Sequence, residues 1–338
     1  MSKISKEIKN AYKNKNILVT GGTGSIGLAL VKQLISCKPK SIKVLTNDEN
    51  SVFDSRKIIG ENKKIKYIVG DIRDKERCQL SLRNVNIVFH AAAMKHIDIC
   101  EENPFDAVKT NVIGTSNMLE ASILEGISKF VFISTDKATN PTTTLGASKL
   151  LAERLTLDAG TYSGNQKMIF SIARFGNVIG SRGSVFQIFR QQLKKNLPLT
   201  VTDSRMTRFI MSLSDAASMI LKIGQAAKDS EIFILKMPTV KIEDLAKTMI
   251  QVHKEKNKLP KNPKIEISKV RGYERFHEFL VTNDEIQFCH DIEYMYKITK
   301  KQAKHTISPK DVNSATATRI SKKKLYQVIT ELFDEIVY

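Results

Sequence analysis

Tryptophan is absent from the 338 residues, and only 4 cysteines, 6 histidines and 8 prolines are present. The cysteines, Cys37, Cys78, Cys100 and Cys289, lie far apart with no CxxC spacing. That excludes a zinc ribbon or a disulfide framework and fits a reducing cytoplasm. The histidines show no HExxH or other ligand spacing, so no metal site is expected. No apolar run approaches the ~20 residues of a membrane span, and no membrane role is expected. The opening MSKISKEIKNAYKNKN has charge but no apolar stretch, which argues against a signal peptide. Acidic residues are also short: 35 Asp and Glu face 54 Lys and Arg, leaving a charge of +19. Such a charge suggests nucleic acid. But 41 of the basic residues are Lys, spread through the whole chain, whereas nucleic-acid readers gather Arg. Solvation or a general Lys bias is the preferred cause, and a pocket for an anionic substrate is the other.

What is present is an ordinary globular composition, 41% hydrophobic and 26% charged. Short apolar runs recur at Ile17–Thr20, Ile42–Leu45, Ile65–Val69, Val85–His90, Phe130–Ser134 and Ile169–Arg174. Amphipathic stretches separate them, notably Asp106–Glu125 and Leu145–Ala159. This alternation predicts an α/β fold: a doubly wound, parallel-sheet Rossmann domain. Helices at Ser184–Lys195, Ser214–Ala227, Ile242–Val252 and Lys322–Ile336 follow, with a strand at Ile232–Leu235 and a loop at Lys254–Pro263. The expected division is a dinucleotide-binding domain over 15–178, with 209–236 returning to it. A smaller α+β substrate lobe takes 179–208 and 237–338.

Gly21-Gly22-Thr23-Gly24-Ser25-Ile26-Gly27 follows the first strand and opens a helix. Gly21 permits a tight turn, Gly24 lets backbone approach a pyrophosphate, and Gly27 lets helix and strand pack closely. The helix start, through Ser25 and Ile26, offers free N–H groups and a favourable dipole. NAD or NADP is therefore the expected cofactor. Asp48 and Glu49 after the second strand lean towards NAD, Asn47 suits either, and Arg56 or Lys57 could reach a 2′-phosphate. Asp71, beside Ile72, ends the third strand, where a carboxylate can accept from adenine or merely cap a loop.

Ser134-Thr135-Asp136-Lys137 ends the fifth strand, and Leu145-Gly146-Ala147-Ser148-Lys149 follows. With TGGTGSIG, GDIRD, HAAAMKH, NPFDAVKTNVIGT, STDKATNP, ARFGNVIGSRGSV, TDSRMTRF and VRGYERFHE, the chain resembles the extended short-chain dehydrogenases/reductases. More narrowly, it resembles inverting UDP-N-acetylglucosamine 4,6-dehydratases of polysaccharide biosynthesis. NSATATRIS near the C-terminus is a weaker match. The resemblance implies hydride removal at carbon 4 of the sugar, proton removal at carbon 5, and loss of the carbon 6 hydroxyl as water. The hydride then returns to carbon 6, and carbon 5 is protonated on its opposite face. Asp136 would be the general acid if burial raises its pKa, and Lys137 the general base if its own is lowered. Thr135 and Lys149 complete the catalytic group, Lys149 holding the nicotinamide ribose. Leu145 replaces the tyrosine of YxxxK, so Thr135, Lys137 or water must relay the carbon 4 proton. Ala91, Lys95 and Thr110 join the cofactor set, and NADP is slightly favoured.

Asn177-Val178-Ile179-Gly180-Ser181-Arg182-Gly183 precedes another helix start and suits a diphosphate or uridine. An Arg fork binds two phosphate oxygens, and Arg205, Arg208 and Arg271 are the candidates. The resemblance places Arg208, Arg271 and Glu274 around UDP. Lys95 could serve substrate or cofactor. Two other readings stay open: a UDP-sugar epimerase, and a non-catalytic cofactor-binding regulator or nucleic-acid binder. Short-chain relatives commonly form dimers or hexamers, which the resemblance implies here.

Overall fold

The computed structural model describes residues 4–164, 167–228, 230–257, 263–268, 272 and 274–334. Strands β1 Asn16–Thr20, β2 Ser41–Thr46, β3 Ile65–Val69, β4 Ile87–His90, β5 Lys129–Ile133 and β6 Ile169–Arg174 match the apolar runs. After them come β7 Asn177–Val178, β8 Leu199–Val201, β9 Thr207–Met211, β10 Glu231–Leu235, β11 Thr239–Lys241, β12 Ile265–Ile267, β13 Cys289–Ile292 and β14 Met295–Ile298.

One nine-stranded sheet has the order β13-β14-β10-β6-β5-β4-β1-β2-β3. Its seven strands from β3 to β10 run parallel, and the β13–β14 hairpin adds two antiparallel strands at the edge. The parallel strands β1, β4, β5, β6 and β10 are largely buried and lack an alternating polar face, as a sheet covered on both sides requires, whereas β3 at the edge is partly exposed. Helices 25–36 and 213–226 pack together in one layer. Helices 75–82, 114–124 and 144–158 pack together in another. Strand order reverses between β1 and β4, which opens a crevice at their carboxyl ends.

Within 209–236, β10 joins the main sheet and helix 213–226 packs on helix 25–36. Tyr12 donates its hydroxyl to the Leu221 carbonyl, and Lys129 donates to the carbonyls of Gly224, Gln225 and Ala227. β9, however, pairs with β7 and β11 in a separate three-stranded sheet. Residues from Leu280 to Ala317 pack on the main core, whereas Leu325, Ile329 and Leu332 join a second core with Phe186, Phe189 and Met249. The reason is the β13–β14 hairpin, whose Met295, Tyr296 and Ile298 cover the open edge of β10. Its strands are too short for their apolar pattern to stand out. Lys254 to Asn257 continue helix 242–257 instead of forming a loop; the rest of that predicted loop up to Asn262, and Ile336 of the predicted last helix, lie outside the described residues.

Candidate active site

Loops from the carboxyl ends of β1 to β6 line a cleft of about 810 Å³. On its floor, Gly21 has φ +60°, and a Cβ there would lie 2.8 Å from the Ala92 nitrogen. A Cβ on Gly27 would lie 2.3 Å from the Gly21 oxygen, so helix and loop touch at backbone distance. Helix 25–36 starts at Gly24 with no side-chain cap, leaving its first N–H groups open to an anion. These features fit a dinucleotide pyrophosphate. Gly21, Gly24, Ser25, Ile26, Gly27, Asn47, Asp71, Ile72, Ala91, Lys95, Thr110 and Lys149 all line this cleft.

Asp48 caps helix 49–59 by accepting from the N–H groups of Asn50 and Ser51 at 3.0 and 3.2 Å. One of its oxygens is thus committed to the backbone. Asp71 accepts a fork from Arg73 at 3.0 and 2.7 Å. Burial pushes its carboxyl up, but Arg73 outweighs this and holds it below the usual range. Thr110 lies in a π-helical turn, Lys109–Ile113, which interrupts the predicted helix. Its neighbour Asn111 is buried and ties Met94 to Ser148, at 2.8 Å from the Met94 N–H and 3.0 Å to Ser148 Oγ.

Lys149 is buried on helix 144–158, donates to the Ile133 carbonyl at 2.7 Å, and lies 3.9 Å from the Phe132 ring centre. Burial lowers its pKa to about 7, against a smaller opposing pull from Glu153. Leu145, one turn earlier, is buried among Cys100, Ala107, Met94 and Ile97. The place of the expected tyrosine is therefore an apolar stretch of the cleft wall.

Asp136 and Lys137 form a short 3₁₀ turn after β5, capped by Thr135. Asp136 is fully buried, and its Oδ1 accepts from Thr135 Oγ1 and from Lys137 Nζ, both at 3.0 Å. Its Oδ2 is buried without a hydrogen-bond partner. A side chain at Gly176 would reach within 2.9 Å of that oxygen, which explains a glycine there. Lys137 departs from the expectation for a general base. Burial pulls its pKa down, but Asp136 and then Glu278 more than offset this, and the pKa is raised. The amine is protonated in this state.

A second pocket of about 240 Å³ shares Lys137, Asn177 and Gly183 with the first and adds Arg208, Glu274, Arg275 and Glu278. Arg208 donates to the carbonyls of Thr207, Phe276 and Arg275, and its Nε lies 3.7 Å from Glu278 Oε1. Asn177 keeps a buried Oδ1 without a partner at the junction. Ser181 and Arg182 line the larger cleft instead. The Arg182 N–H donates to Ser25 Oγ at 3.0 Å, and Lys95 donates to the Arg182 carbonyl. These bonds tie the 177–184 loop to the glycine loop. Gly180 points elsewhere, towards Leu332. Arg205 also leaves the group. It is exposed, forked onto Asp203 at 3.0 and 2.8 Å and stacked on Phe276, so the turn's own carboxylate has taken its guanidinium. Arg271 lies outside the described residues.

Three positions in or behind the smaller pocket escaped sequence reasoning. Glu278 and Arg275 lie in VRGYERFHE, in the same segment as the expected Arg271 and Glu274. Glu278's backbone N–H donates to Ser314 Oγ at 2.8 Å, so the NSATATRIS segment supports it. Arg174 of ARFGN is the third. It is buried and pairs with Glu153 at 2.6 Å and Glu285 at 2.8 Å, fastening β6 to the segment behind the pocket.

Residues 17–300 match the family described as polysaccharide biosynthesis protein. An uncharacterized protein of Methanocaldococcus jannaschii, named a membrane protein, is 44% identical over 96% of this chain and 98% of its own. No described helix here is long and apolar enough to cross a membrane. An inverting UDP-N-acetylglucosamine 4,6-dehydratase of Campylobacter jejuni is 39% identical over 85% of this chain and 84% of its own. A UDP-glucose 4-epimerase of Rickettsia bellii is 36% identical over 85% and 83%. Pen from Bacillus thuringiensis superposes with a TM-score of 0.88 at 38% identity, covering 95% of this chain and 98% of its own. The glycine cradle, the buried Asp-Lys turn and these likenesses agree: the chain belongs to the polysaccharide biosynthesis protein family, among the nucleotide-sugar dehydratases and epimerases of the extended short-chain dehydrogenase/reductase fold.

Proposed function

We propose that the chain is a nicotinamide-dependent UDP-sugar 4,6-dehydratase, acting on UDP-N-acetylglucosamine with inversion at carbon 5. The observation that carries this reading is the Asp136–Lys137 turn, whose Lys137 lines both pockets with the buried Asp136 bonded to it. An oxidoreductase that only moves hydride needs no such pair. The glycine loop, Asn47, Asp71, Thr110 and Lys149 would hold the dinucleotide. When bound, the nicotinamide supplies the redox half, accepting a hydride from carbon 4 and returning it at carbon 6. Arg208, Glu274 and Arg275 line the smaller pocket and are assigned to the nucleotide end, beside Asn177.

The chain's own residues move the protons. Thr135 Oγ1 accepts the carbon 4 hydroxyl proton and passes its own to Asp136, to which it is bonded. Asp136 then protonates the leaving carbon 6 hydroxyl. Lys137 removes the carbon 5 proton, which the 4-keto group has acidified. Serving as this relay, Thr135 replaces the tyrosine that Leu145 has displaced.

Incubation with UDP-N-acetylglucosamine, followed by proton NMR, tests the reading. A new sugar methyl doublet with a 4-keto or hydrated product is expected. The relatives named UDP-glucose 4-epimerase favour a second reading, which predicts a 4-epimer and no methyl signal. Unchanged substrate with bound cofactor would overturn both.

A further inference from the structure

The proposed chemistry asks Lys137 to be a base, yet its ammonium is clamped by carboxylates. Two converge on it: Asp136 Oδ1 at 3.0 Å and Glu278 Oε1 at 3.7 Å. Each has its second oxygen buried without a hydrogen-bond partner. Glu278 comes from a different part of the chain, and its position is held from both sides. Its N–H donates to Ser314 Oγ, and Arg208 grips the carbonyls of Arg275 and Phe276 just before it.

We propose that Glu278 is a positioning residue that makes Lys137 a base by accepting its proton. The inference rests on the dehydratase reading above. The step carries one proton from Lys137 Nζ to Glu278 Oε1 through one bridging water, because 3.7 Å exceeds a direct hydrogen bond. The ammonium becomes an amine and the carboxylate a carboxylic acid. The amine's lone pair then takes the proton from carbon 5, restoring the ammonium. Protonation of carbon 5 on its other face uses a solvent proton, and Glu278 later releases its own to water, so the cycle balances.

The charges around Glu278 suit a carboxyl that ionises and neutralises. Lys137 and Asp136 face it from the turn after β5, Arg208 from β9, and Arg275 from its own segment. Burial raises its pKa most strongly, Asp136 adds to this, and Lys137, Arg208 and Arg275 oppose it without cancelling it. Its uncharged form is therefore favoured relative to that of an ordinary glutamate. Asp136 cannot do the same service, because it is assigned to the leaving hydroxyl. Glu278 Oε2 is buried without a hydrogen-bond partner, so that oxygen is not committed to a structural contact.

The test compares the wild type with Glu278→Gln and Glu278→Asp, using whole enzyme and UDP-N-acetylglucosamine. Cofactor retention and melting temperature show that each variant folds. At pH 7, Glu278→Gln should lose about 100-fold in kcat with KM within threefold, because its lysine must lose its proton to solvent. Its kcat should then rise tenfold per pH unit towards pH 9, while the wild type stays nearly flat. Deuterium incorporation at carbon 5 in D₂O should fall in parallel. Glu278→Asp should recover part of the rate and the flat profile. A Glu278→Gln profile parallel to the wild type, or a loss confined to KM, overturns the inference while leaving the dehydratase reading intact. A wild type that neither forms the methyl product nor exchanges carbon 5 overturns both. If Glu278→Gln does not fold, the Asp variant decides alone: a wild-type profile with no loss of rate overturns the proposal.

Discussion

Replacing Arg174 with Met should destabilise this protein more than any surface change and also weaken its active site. The guanidinium is only 1% exposed, and its five donors meet Glu153, Glu285 and the Leu280 carbonyl. Burial disfavours its charge, but the two carboxylates outweigh burial and raise its pKa. Removing it leaves two carboxylates without their cation, and breaking a buried pair in this way costs about 3–5 kcal/mol. At ~2.1 cal/mol/K per residue of unfolding entropy, that is a fall of about 6 °C in melting temperature. The pH dependence gives a sharper test. Burial pushes Glu285 up, but Arg174 holds it below the ordinary glutamate value. A folded pKa below the unfolded one stabilises above the unfolded value, and this is lost as pH falls through the folded one. In Arg174→Met, that carboxyl is protonated more readily on folding. The gap to the wild type, read by circular dichroism melts, should therefore be widest at pH 8 and narrow towards pH 5. Adding Glu153→Gln and Glu285→Gln should recover most of the loss. A gap under 2 °C at pH 8, or one that widens on acidification, would refute the reasoning.

Gly27→Ala should abolish dinucleotide binding, seen by cofactor fluorescence, because its Cβ would lie 2.3 Å from the Gly21 oxygen and push the loop apart. Leu145→Tyr should spare or raise turnover, at a packing cost of ~1–3 kcal/mol in its apolar patch; loss of turnover in the NMR assay would make the leucine part of the mechanism. Lys149 has a folded pKa of about 7, below its unfolded value, so the unfolded chain binds the extra proton between about pH 7 and 10 and the wild type should gain stability across that window. Lys149→Met should lack that gain while losing activity, and parallel melting curves from pH 7 to 10 would contradict the assignment. The +19 charge should speed arrival of an anionic substrate, so kcat/KM should fall with added salt if association limits it.

The short apolar runs sufficed to derive a parallel sheet, with the GxxGxxG loop and the STDKA turn at its carboxyl edge. These signals are local: a buried parallel strand needs a continuous apolar run, and a tight loop against a helix start needs glycine. The diffuse Lys excess was likewise legible as something apart from the site, since so few of those lysines sit in either pocket. What the tertiary structure decided is everything set by partners distant in the chain. Arg205 and Arg208 are three residues apart, yet one is held by Asp203 at the surface and the other lines the pocket. The pKa of Lys137 is raised against burial by its neighbour Asp136 and then by Glu278, 141 positions later. The β13–β14 hairpin covers β10 although its own pattern is too short to announce a sheet edge. Charge state, pairing and edge protection depend on distances through space, and spacing along the chain does not report them.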